Sequence, residues 1–64
     1  MWIIKYITPY KPDEYLFTEF IHKESLKQFI DGLPYGSIIY RMTYLSAVVF
    51  DEPILSSDVL LTIL

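Results

Sequence analysis

Residues 23–33, KESLKQFIDGL, leave the chain little conformational choice. Leu26, Phe29, Ile30 and Leu33 fall at i, i+3, i+4 and i+7, which places them on one face of a helix. Lys23, Glu24, Lys27, Gln28 and Asp31 occupy the opposite face. Ser25 is placed to cap the start, with Gln28 three residues on as its capping-box partner. Gly32 suits the left-handed position beyond the last turn, and Pro34 forbids continuation. A short helix with a single apolar stripe must lie on something apolar, and a sheet is the partner that the flanking sequence offers.

The 64 residues make one domain close to the lower limit for folding without staples, and the chain has no cysteine to supply a disulfide or a thiolate metal site. Its compensation is apolar content, 53% hydrophobic and 17% aromatic. That is more than so small a domain readily hides. Either the core is unusually aromatic, or another copy or a partner covers part of the apolar surface; the second is the expectation. A net charge of −3, with only Lys5, Lys11, Lys23, Lys27 and Arg41 as fixed cations, argues against nucleic acid as a partner. Lys5, Arg41, Asp51 and Asp58 interrupt every long apolar run, so no membrane span is expected. The opening MWIIKYI lacks the features of a signal peptide, and a cytoplasmic protein is expected.

In chain order, residues 2–8 (WIIKYIT) read as a strand that ends at Pro9, with Trp2, Ile4 and Tyr6 on one face. Residues 9–14, with two prolines and two acids, read as a loop, and residues 14–21 (EYLFTEFI) as a second strand antiparallel to the first. Neither face of that second strand is cleanly polar, so the pattern leaves open which one meets the helix. After the helix, residues 37–43 (SIIYRMT) read as a third strand, with Ile38, Tyr40 and Met42 sharing a face. Residues 44–50 either continue it or bend into a fourth, and AVVF suits a buried strand. Asp51-Glu52-Pro53 breaks the run. The tail, residues 54–64, fits a strand or a short helix capped by Ser57, with Val59, Leu60, Ile63 and Leu64 on one face; β-propensity favours the strand. The sum is an α+β fold: a small single domain over residues 1–64, with a ββαβ core and one helix packed on an antiparallel or mixed sheet. The helix makes the crossover between strands two and three.

No chemistry is named by a motif. There is no thiol nucleophile, no Gly-rich phosphate loop and no His/Cys cluster, so no cofactor, metal or catalytic residue is assigned and no enzymatic activity is expected. His22, the only histidine, stands at a strand-to-helix junction with no acid or nucleophile beside it, and reads as a boundary residue. Asp13-Glu14 and Asp51-Glu52 are acidic pairs on expected loops; at one end of a sheet they would form a patch that steers a basic protein surface. Tyr10 and Tyr35, also on expected loops, are suited to an interface. Tyr10, Asp13, Glu14, Tyr35, Asp51 and Glu52 are therefore the candidate partner-binding residues. Lys5-Tyr6 and Tyr40-Arg41 echo the aromatic and basic interleaving of a single-stranded nucleic-acid platform, a reading that the acidic balance opposes.

The order of a hydrophobic first strand, an aromatic second strand, the ESLKQFI helix and GSIIYRM resembles small bacteriophage-encoded proteins with a ββαβ core. Inhibitors of bacterial RNA polymerase and anti-CRISPR proteins are among them. The resemblance covers residues 2–43 and lies in element order. It implies a protein that works by occupying a surface of a larger bacterial host protein or complex, in an infected cell. The alternative is a homo-oligomeric structural protein that assembles through its apolar tail, residues 54–64.

Overall fold

The computed structural model describes residues 1–63; Leu64, expected on the apolar face of the tail, lies outside them. Strand β1 (Trp2–Thr8), strand β2 (Lys11–Phe20), helix α1 (Lys23–Asp31) and strand β3 (Ile38–Tyr44) follow in the expected order. After them come β4 (Ala47–Phe50), β5 (Ile54–Leu55) and α2 (Ser56–Ile63). The sheet runs β2-β1-β3-β4, with β5 on β3, and every pairing is antiparallel. This is a small α+β domain built on a ββαβ core. Since β2 and β3 are separated by β1, α1 carries the chain over one strand, and its apolar stripe lands on the sheet as it passes. No helix among the described residues is long and apolar enough to cross a membrane.

One layer of core lies between the helices and one face of the sheet. Ile4, Ile39 and Met42 from the sheet meet Leu26 and Ile30 of α1 and Val59 and Ile63 of α2, all buried. Trp2, Tyr6, Phe20, Phe29 and Leu33 close its margin, with Phe29 edge-on to Tyr6 at 5.5 Å and tilted on Phe20 at 5.2 Å. The centre is thus aliphatic, and the aromatic residues are spread over margin and surface.

Several local expectations are corrected. Helix α1 starts one residue after His22, whose side chain forms no cap, and the Ser25 capping box is not used. Gly32 is right-handed (φ −86°) because the last turn tightens: its N–H bonds to the carbonyls of Gln28 and Phe29, and that of Leu33 to Ile30. The loop expected over residues 9–14 shrinks to a Pro9-Tyr10 turn, so Asp13 and Glu14 belong to β2. Pro12, which donates no hydrogen bond, is accommodated because β2 departs from register with β1 between Leu16 and Lys11.

The tail forms a strand of two residues, Ile54–Leu55, and then helix α2 in place of the favoured strand. Val59 and Ile63, four apart, find a buried groove against α1, and that packing outweighs β-propensity. AVVF is an exposed edge strand, since nothing among the described residues pairs beyond it.

The face assignment in β3 is also revised. Ile39 and Met42 are three residues apart and both fully buried, which an unbroken period of two cannot achieve. Lys5 pairs with Arg41 and Tyr6 with Ile39, so Tyr40 is an extra residue, a bulge that turns the strand between them. Tyr40 thereby leaves the face of Met42.

The two glycines answer different needs. Pro34-Tyr35-Gly36-Ser37 closes with Ser37 N–H donating to the Pro34 carbonyl at 3.0 Å, and Gly36 at φ +91° supplies the positive φ of a type II turn. A Cβ there would also stand 3.3 Å from Pro9 Cγ. Gly36→Ala is expected to cost about 1–2 kcal/mol, whereas Gly32→Ala gains about 0.5 kcal/mol by restricting the unfolded chain. Urea midpoints of the two variants check the opposite signs.

The β3–β4 hairpin turns at Leu45 (φ 51°) and Ser46 (φ 67°), positions of a primed turn that ordinarily hold Asn and Gly. This unorthodox turn is why no turn signal is legible before AVVF. Leu45→Asn with Ser46→Gly is expected to stabilise the domain by about 1–2 kcal/mol, read as a higher thermal midpoint.

Candidate functional site

Both helices cover one face of the sheet, and its other face is open. In β1 the residues Ile3 and Lys5 point away from the core that takes Ile4. Register then defines two rows across the open face. Glu19, Ile3, Thr43 and Val48 form one, and Phe17, Lys5 and Arg41 the next. Tyr15 and Tyr40 stand beside the second row, edge to face at 5.2 Å, which the bulge at Tyr40 makes geometrically available. Phe17 is 68% exposed, Tyr15 and Val48 each 51%, and Ile3 42%. Apolar and aromatic side chains are interleaved here with Glu19, Thr43, Lys5 and Arg41, which is more exposed apolar surface than a sheet face that meets only water presents.

Two cations occupy its middle. Lys5 and Arg41 are direct cross-strand partners, an arrangement that like charges disfavour. Lys5 Nζ lies 4.4 Å from the centroid of the Tyr15 ring, a cation–π contact. The ion pairs of the described residues, Lys11–Glu14 at 3.7 Å and Lys27–Glu24 at 3.6 Å, involve neither cation. A shallow hollow of about 190 Å³ between them is lined by Ile3, Lys5, Phe17, Arg41 and Thr43. Arg41→Gln relieves the repulsion and is expected to raise the melting temperature by about 1–3 °C at low salt, an increment that shrinks as salt is added.

The residues expected at an interface separate into two groups. Tyr10 and Tyr35 are strongly exposed, at 82% and 98%, and share one end of the sheet. The turn bearing Tyr10 touches the loop bearing Tyr35, as the closeness of Pro9 to Gly36 shows. Asp13 and Glu14 follow directly in β2, with Glu14 held by Lys11. Asp51 and Glu52 follow β4 on the opposite edge, with β1 and β3 between, roughly 14 Å away at ordinary strand spacing. The acidic pairs therefore flank the sheet and form no single patch. Ile3, Tyr15, Phe17, Tyr40 and Arg41 were outside the expected interface, and Tyr6, of the Lys5-Tyr6 pair, faces the core margin. One signal in the sequence pointed to this open face: the lack of a polar face in the second strand.

The tail is occupied within its own chain. Val59 and Ile63 are buried against α1, Ile54 packs on the core, and Leu55 and Leu61 are exposed. No group of three or more His, Cys, Asp or Glu side chains able to hold a metal occurs among the described residues. Comparisons with family models, with curated proteins and with solved structures gave no significant match.

Proposed function

We propose that this chain is a protein-binding module whose recognition surface is the open sheet face, and that it acts by occupying a surface of a larger partner. One observation supports the reading above the others: an uncovered sheet face presents Ile3, Tyr15, Phe17 and Val48 around Lys5 and Arg41. Tyr, Phe and Arg surrounded by aliphatic residues is the composition of protein interfaces and their hot spots. Tyr10 and Tyr35 stand at one end of the sheet, with Tyr35 lining a hollow beside α1 and α2 on the helix side. The function is steric and electrostatic, with no catalytic role for any side chain. Blocking a host protein or complex, as the resemblance to phage inhibitors implies, is the form of the reading that we favour.

A second copy fits the face poorly, because a twofold stack through its centre sets Lys5 and Arg41 against two more cations. Assembly through residues 54–64 has Leu55 and Leu61 to bury, since Val59 and Ile63 are taken. Affinity capture from bacterial lysate tests the proposal, with wild type and Tyr15→Ala/Phe17→Ala run side by side. One stoichiometric partner, retained by wild type and lost by the variant, supports it. Equal retention by both, or recovery of the chain alone as a defined oligomer, contradicts it.

A further inference from the structure

We infer that Lys5 and Arg41 form a carboxylate-binding spot, so that the partner surface covering the open face presents Asp or Glu side chains to it. The inference rests on the docking reading above and adds the chemistry at its centre. A partner that buries Phe17 and Ile3 must also take water from the two cations between them, and a desolvated unpaired charge is heavily penalised. Apart from the Tyr15 ring under Lys5, the chain supplies little relief: among the described residues, neither cation has an ion-pair partner, although the sequence holds eight Asp and Glu residues. Glu19, the acid of the open face, stands in the adjacent row beside Ile3. Placing the two cations directly opposite works against the sheet itself, and an anion bound between them would offset that repulsion.

The planar guanidinium of Arg41 suits bidentate carboxylate capture, and Lys5, held over the Tyr15 ring, adds a point charge in the same hollow. A phosphate would satisfy the same cations. The aliphatic neighbours Ile3 and Val48, the adjacent Glu19 and a net charge of −3 favour a protein carboxylate over a nucleic acid.

The test is a selection of displayed random peptides on the immobilised full chain, repeated on Phe17→Ala and on Lys5→Glu/Arg41→Glu. Wild type is expected to enrich peptides with Asp or Glu among apolar residues, and the charge-reversed chain to enrich Lys or Arg instead. A selected acidic peptide should bind Lys5→Gln/Arg41→Gln about tenfold to hundredfold more weakly, with Arg41→Lys in between, because an ammonium keeps the charge and loses the bidentate geometry. Peptides that need Phe17 but show no acid enrichment, or no response to charge reversal, overturn the carboxylate assignment and leave the docking face standing. Peptides indifferent to both variants remove the docking face as well. Displacement of the selected peptides by oligothymidylate that itself binds more tightly assigns the site to nucleic acid and overturns the proposal.

Discussion

Leu26→Ala is expected to destabilise the domain by about 3 kcal/mol, the middle of the range for a fully buried leucine cut to alanine. A chain of 64 residues has roughly 3–10 kcal/mol to lose, at about 0.05–0.15 kcal/mol per residue. The substitution therefore removes a third or more of the total stability. The expected drop in thermal midpoint is about 12–24 °C, measured by circular dichroism. The effect is large because Leu26 stands where Ile4, Ile39 and Met42 of the sheet meet both helices, so that its neighbours cannot collapse inward without loss elsewhere. A shift of only a few degrees would mean that α1 does not seal the core.

Tyr15→Ala/Phe17→Ala is expected to behave in the opposite way. Both side chains are more than half exposed, so stability should change by less than about 1 kcal/mol. Binding to a captured partner should weaken by about 2–4 kcal/mol, roughly thirtyfold to a thousandfold, if these rings are the anchors of the interface. Tyr10→Ala/Tyr35→Ala, at the end of the sheet, should cost less, about 1 kcal/mol, as rim residues do. Titration calorimetry on the two double variants ranks the surfaces. A larger loss from Tyr10 and Tyr35 would move the centre of the interface to that end.

The contrast between these variants also marks what was legible in the chain. The helix could be read because Leu26, Phe29, Ile30 and Leu33 share a period that no strand satisfies, and Pro34 ends it. The crossover from β2 to β3 followed from element order. The tail could not be read locally, since VLLTIL satisfies both periods and the decision lies in a groove made by α1. The open face was hidden for a related reason. Pattern reading takes apolar residues as core, and here Ile3, Tyr15, Phe17 and Val48 lie on the side that the helices leave uncovered. Two further devices depend on the fold alone. The bulge at Tyr40 places Ile39 and Met42 on one side, and the register of β1 on β3 brings Lys5 opposite Arg41. These pairings join residues far apart in sequence, and no local pattern contains them.

The central claim is that the open face is where the partner sits. Isoleucine methyl groups report it directly, because Ile3 lies on the open face while Ile4, Ile30 and Ile39 fill the core. The measurement is a methyl spectrum of the isoleucine-labelled chain, free and saturated with its captured partner. The account predicts that the Ile3 signal shifts and gains contacts to the partner, while Ile4, Ile30 and Ile39 stay in place. A partner that binds without moving Ile3, and perturbs Ile54 and Ile63 instead, would contradict it.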